Sequence, residues 1–108
     1  MPVNTIRLPN LVIPNGSSVS NSLEAWDADS VGVAAPAAVD ALTYSFEVSC
    51  DNGTTWKTLA DSAGNILPPA AGKARLYPEL PRFTHFRIKA SGNVGSDHTY
   101  QVTKQYWA

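Results

Sequence analysis

Apolar and polar residues alternate along this chain in short runs, and each run is closed by glycine, proline or a cluster of Asn, Asp and Ser. The clearest case is Thr43 to Ser49. Tyr44, Phe46 and Val48 fall on one face and Ser45, Glu47 and Ser49 on the other, which is the period of two of a half-buried strand. His98 to Tyr106 repeats the pattern, with Tyr100, Val102 and Lys104 alternating against Gln101, Thr103 and Gln105. Phe83 to Ala90, where Phe86 and Ile88 share a face, and Lys73 to Tyr77 are shorter versions. Val31 to Ala35 reads as a strand stopped by Pro36. Thr54 to Leu59 reads as the partner of Thr43–Ser49, returning through Cys50-Asp51-Asn52-Gly53, since Asn-Gly and Asp-rich turns supply the positive backbone angles of tight hairpins.

Other stretches carry weaker patterns. Val19 to Trp26 is expected to be a short strand ending in the polar turn Asp27-Ala28-Asp29-Ser30. Pro36 to Leu42 is expected to make a single helical turn, and Asp61 to Gly72, with Gly64, Pro68 and Pro69, a loop. Thr5 to Ile13 alternates only in part and contains Pro9. Proline cannot donate to a sheet ladder, so this segment is an edge strand or an extended arm. No helical pattern, internal repeat or linker interrupts the series. The reading is an all-β fold, an antiparallel β-sandwich of jelly-roll or Ig-like type with about seven to eight strands. Residues 1–11 form the arm or edge strand and 12–108 a single sandwich domain.

Composition narrows the function classes. A chain of 108 residues is one domain by length. Its charged share, 16%, is below the typical ~25%, as expected of a surface partly covered by neighbours. Eight basic and nine acidic residues leave a formal charge of −1. Nucleic-acid binders rely on a basic excess for phosphate contacts, and Lys73/Arg75 and Arg82/Arg87/Lys89 make no run, so no nucleic-acid partner is expected. Cys50 stands alone, which excludes an intrachain disulfide and suits a reducing compartment. In its strand-like setting it reads as a small buried apolar residue. The N-terminus lacks the basic start and apolar run of a signal peptide, and no apolar stretch is long enough to span a bilayer, so a soluble chain without a membrane partner is expected.

The sharpest local motif is Ser49-Cys50-Asp51-Asn52-Gly53-Thr54-Thr55-Trp56, which matches the Asp-box pattern Ser-x-Asp-x-Gly-x-Thr-Trp at every specified position. Its chemistry is local: Asp51 bonds backbone N–H groups of the turn, Gly53 takes a positive φ, and Trp56 packs under the hairpin. In sialidases this box recurs on propeller blades away from the catalytic residues. Here it occurs once, in a chain too short for a propeller, so Ser49, Asp51, Gly53 and Trp56 read as a folding device.

No catalytic set stands out. Glu24, Asp27 and Asp29 lack the alternate spacing, glycine and distal Glu of a calcium loop, and read as a solvated turn. His85 and His98 are isolated, and neither a nucleophile elbow, a phosphate loop nor a His-Glu-x-x-His is present. Neither cofactor nor metal is expected, and an enzyme would need a cleft joining one of the histidines to an acid or to Cys50. Trp26, Trp56 and Trp107 could line a sugar-binding face. In a small all-β domain such rings usually fill the core, the expectation for Trp56, while Trp107 suits an anchor in a neighbouring subunit.

Taken together, Val12-Ile13-Pro14-Asn15-Gly16-Ser17-Ser18, Asp27-Ala28-Asp29, Ala35-Pro36-Ala37-Ala38, the Val48–Trp56 hairpin and Phe86-Arg87-Ile88-Lys89-Ala90 resemble a loose class of short virion proteins of tailed bacteriophages. The resemblance covers about residues 12 to 106 and rests on turn and hairpin features. It implies a capsid decoration or cement protein, made in the host cytoplasm and carried on the capsid surface. Its partners would be the major capsid protein or other virion subunits, in a homo-oligomer, with a trimer favoured by icosahedral local axes. Ile6, Leu8, Leu11 and Trp107 are the expected interface residues. Removing residues 1–11 is then expected to abolish particle binding and leave the fold intact. The alternative is a carbohydrate-binding or adhesin module of a phage tail or fibre, which requires two or more aromatic rings exposed in one plane.

Overall fold

The computed structural model describes the backbone of residues 3–107 and the side chains of residues 4–106. Strands run over β1 (Val3–Ile13), β2 (Ser30–Ala34), β3 (Tyr44–Ser49), β4 (Lys57–Thr58), β5 (Ala60–Asp61), β6 (Gly64–Asn65), β7 (Ala74–Tyr77), β8 (His85–Ala90) and β9 (His98–Trp107). A turn of 3-10 helix at Leu80–Arg82 is the helical element among the described residues. The fold is an all-β antiparallel sandwich.

One sheet has four strands in the order β1-β9-β2-β7, and the other three in the order β4-β3-β8. A two-stranded ribbon, β5-β6, lies outside both. β9 is the spine of the larger sheet, pairing with β1 on one side and with β2 on the other. The chain therefore crosses between sheets at most connections, so the core is built from segments distant in sequence. Leu11, Ile13, Val31, Val33, Tyr77, Tyr100 and Val102 face inward from the larger sheet, and Phe46, Val48, Phe86 and Ile88 from the smaller. Fully burying one such side chain contributes about 1.5–3 kcal/mol. Across the sandwich, the Phe46 and Tyr77 rings meet edge to face with centroids 4.8 Å apart. The Tyr77 hydroxyl donates to the Leu67 carbonyl at 2.6 Å, which satisfies its buried polar end.

Four local readings change. Val19 to Trp26 forms no strand; its bridges to β8 are the isolated pairs Val19↔Lys89 and Leu23↔Phe86. Between them the Ser20 N–H donates to the Ile88 carbonyl at 2.9 Å while the Ser20 hydroxyl accepts the Ile88 N–H at 2.9 Å, so a side chain supplies one half of the pair. The return strand after the Asp-box turn shrinks to Lys57–Thr58, because Thr55 is drawn back onto Asp51 before it can pair. Pro36 to Leu42 has bends and no helical turn. Asp61 to Gly72, read as a loop, contributes Asp61 and Gly64–Asn65 to the β5-β6 ribbon.

Residues 3–11 lie within β1, an edge strand paired with β9 along its length apart from a register shift between Leu8 and Leu11. Pro9 sits inside that shift, where a missing N–H breaks no ladder bond. Leu11 and Ile13 are fully buried. Removing residues 1–11 would therefore strip a strand from the sheet and open the core.

Candidate functional site

The Asp-box hairpin is the most heavily bonded turn in the described chain. Asp51 accepts the Thr55 hydroxyl at 2.6 Å, the Thr55 N–H at 2.9 Å and the Ser49 hydroxyl at 2.8 Å. The Ser49 oxygen in turn accepts the Gly53 N–H at 2.8 Å. Asn52 and Gly53 carry φ of 61° and 87°, the left-handed pair that closes the turn. Donation from the Thr55 hydroxyl first, then from its N–H and the Ser49 hydroxyl, holds the Asp51 carboxyl down at about 2, from an ordinary 3.8.

Trp56 is half-buried, not part of the core. Its indole N–H donates to the Gly53 carbonyl at 3.1 Å, and the Arg87 guanidinium lies 4.0 Å from its ring centroid. The same guanidinium reaches Glu47 at 2.8 Å. Indole, guanidinium and carboxylate thus form a closed stack on the outer face of the smaller sheet.

Both histidines have acid partners. His85 Nε2 is 3.0 Å from Glu24 Oε1, and its Nδ1 is 3.3 Å from the Thr84 hydroxyl. An acid, an imidazole and a hydroxyl in line resemble a hydrolase relay. The Thr84 hydroxyl, however, donates to the Ser49 carbonyl at 2.9 Å and accepts the Asn52 N–H at 3.0 Å, so its proton and a lone pair are committed to the hairpin. His98 is buried, and its Nε2 accepts the Asp40 N–H at 3.0 Å. That ring braces the segment before β3 against the start of β9.

The acidic cluster disperses in the same way. Glu24 belongs to His85, and Asp27 pairs with Lys104 at 3.0 Å, whose hydrogen bond pulls the Asp27 carboxyl below its ordinary range. The Asp29 N–H donates to Gln105. Cys50, expected to be buried, is exposed, because β3 ends at Ser49 and Cys50 begins the turn.

Several surface concavities are formed by described residues, three of which bear on the site. The first, about 510 Å³, lies on the outer face of the larger sheet over Gly32, between Leu76, Gln101, Thr103 and Gln105. A Cβ at Gly32 would come within 2.7 Å of the Thr103 hydroxyl, so the glycine makes the floor of this hollow. The second, about 320 Å³, runs past Val48, Cys50, Leu59 and Phe83. The third, about 250 Å³, includes Tyr44, Glu47, Leu67 and Lys89. Neither histidine lines any of the three, and in the third Glu47 is already held by Arg87 at 2.8 Å.

The expected interface residues are spread over one ribbon. Ile6 is 40% exposed, Leu8 is half-buried against the core, and Leu11 is fully buried and offers no surface to a neighbour. Trp107 closes β9 opposite Val3, and its side chain lies outside the described residues. Among the described residues the most exposed aromatic is Trp26, at 70%, in the turn before β2. Its flanking run Leu23-Glu24-Ala25 buries positions 23 and 25 and pushes 24 and 26 outward, a signal present in the sequence. Trp26 lies in the turn before β2 and Trp56 in the link between the Asp-box turn and β4, and neither belongs to a strand. A scan of family models and a search of curated proteins return no match to this chain.

Proposed function

We propose that this chain is a non-enzymatic structural protein of a virion, a capsid decoration protein that stabilises a phage head by bridging capsid subunits. One observation carries the non-catalytic part. Several polar groups that could do chemistry are bound into the scaffold: Asp51 in its hairpin, Thr84 between Ser49 and Asn52, and His98 beneath Asp40. The virion part is supported by the turn and hairpin motifs that resemble those of small tailed-phage proteins, and by the low charge content. A rigid sandwich that binds only the assembled shell shifts the assembly equilibrium toward it. Partners are the major capsid protein and further copies of this chain.

The exposed Trp26 favours a second reading, an adhesin or carbohydrate-binding module of a tail or fibre, since an unburied indole is a common anchor for a sugar ring or a protein pocket. The two readings separate in one experiment. Particles from a lysate expressing the chain from its native genome are sedimented, separated into heads and tails, and probed with an antibody against it. Occupancy on heads supports the decoration role. Occupancy confined to tails or fibres favours the second reading, and recovery only as free protein overturns both.

A further inference from the structure

The edges of the two sheets are treated differently. In the smaller sheet the β8 edge is covered by residues 19–23 through two bridges and the Ser20 hydroxyl, and β4 is only two residues long. In the larger sheet β7 is four residues long and carries Arg75, with Lys73 just before it. Short or charged edges resist pairing. β1 is eleven residues long and forms the other edge.

Half of that edge is also closed. The Asn21 side chain accepts the Val12 N–H at 2.8 Å and donates to the Asn10 carbonyl at 3.0 Å, imitating a neighbouring strand over that stretch. Pro9 beside it has no N–H to offer. The half before Pro9 has no such cover among the described residues. Its orientation follows from β9. The Gln105 carbonyl points toward the β2 side, where it accepts the Asp29 N–H. Lys104 and Val102 therefore turn their backbone groups toward β1, and their partners Ile6 and Leu8 complete those pairs. The N–H and C=O groups of Thr5 and Arg7 are left pointing outward.

We propose that this open half of β1 pairs antiparallel with the same segment of a second copy, joining two larger sheets across a two-fold axis at Ile6. In that register Thr5 lies opposite the partner's Arg7 on both sides of the axis, and each pair exchanges N–H and C=O bonds. Ile6 faces its own copy in a non-hydrogen-bonded pair, where side chains approach most closely, with Leu8 on the same face. Self-complementarity identifies the partner. Arg7 is the single charge between Val3 and Leu8, and this register keeps it away from its own copy. The 40% exposure of Ile6 falls where the two chains would meet. Pro9 and Asn21 set the end of the pairing zone, so the contact closes at two chains. The inference goes beyond the virion reading and stands without it.

The test uses the full chain. Sedimentation equilibrium over a dilution series from millimolar to micromolar is expected to show a monomer–dimer equilibrium. Thr5→Pro removes an outward N–H and leaves the Ile6 and Leu8 ladder bonds, so it should weaken the dimer at least tenfold with an unchanged circular dichroism spectrum. Should Thr5→Pro disturb the fold, the Ile6→Cys variant in a Cys50→Ser background decides. Cα atoms of a non-hydrogen-bonded pair lie at disulfide range, so mild oxidation should link this variant into a covalent dimer. A monomer at every concentration, a trimer, an association that Thr5→Pro leaves untouched in a folded chain, or an Ile6→Cys variant that does not cross-link overturns the proposal.

Discussion

At the scale of single residues, Asp51 is a group whose ionisation is set by its own hairpin. Its folded-state pKa of about 2 lies below the ordinary 3.8. A depressed carboxyl stabilises the fold above its unfolded pKa, and that contribution is lost as pH falls through the folded value. Thermal melts of the native chain should therefore lose stability between about pH 4 and pH 2. Asp51→Asn should flatten that dependence and lower the melting temperature at neutral pH, since an amide nitrogen cannot accept the Thr55 hydroxyl. Equal acid slopes in the two proteins would remove Asp51 from the account. This site was legible in the sequence because each of its bonds joins residues at most four positions apart. Thr84 was not, since nothing local says that a hydroxyl thirty-five positions away will accept Asn52 and hold Ser49.

At the scale of elements, segment 18–23 shows why periodicity alone misleads. Val19 and Leu23 bridge to β8, yet the segment between them advances without a ladder, and the Ser20 hydroxyl both accepts from Ile88 and donates to the Asn21 carbonyl at 2.7 Å. Ser20→Ala leaves the Ile88 N–H buried with no acceptor, which costs about 1–3 kcal/mol. Chemical denaturation should register that as a lower midpoint at constant slope, whereas a change of less than a few tenths would mean that water replaces the hydroxyl. β3 and β8 were readable because inward and outward residues alternate along both. β4 was overread because the apolar positions after Trp56 continue a strand pattern, while the Asp51–Thr55 bonds hold the backbone in the turn until Lys57. Apart from the β3–β4 hairpin, which strands become neighbours was not legible. β1 and β9 lie at opposite ends of the sequence, and no local signal pairs them.

At the scale of the whole molecule, the two sheets enclose tyrosines whose ionisation is coupled to global unfolding. Burial pushes Tyr77 and Tyr100 up to about 12 from an ordinary 10, because a phenolate would be stranded in the core. The unfolded chain gives up these protons near 10 and the native chain holds them. Stability is then complete below about pH 10 and is lost as pH rises from there toward 12. Ultraviolet absorbance of tyrosinate should rise in two stages, the later one coinciding with loss of near-ultraviolet circular dichroism. A single stage near 10, with the fold intact, would show that these rings are open to solvent.

The placement of β9 has a consequence for how the protein is made. It follows the other described strands in chain order, and it separates β1 from β2. During synthesis neither of those earlier strands has its main neighbour until β9 has left the ribosome, so the larger sheet cannot assemble from the N-terminus forward. A nascent chain arrested before His98 should remain protease-sensitive, and emergence of the ten-residue β9 should convert it to a resistant form in one step.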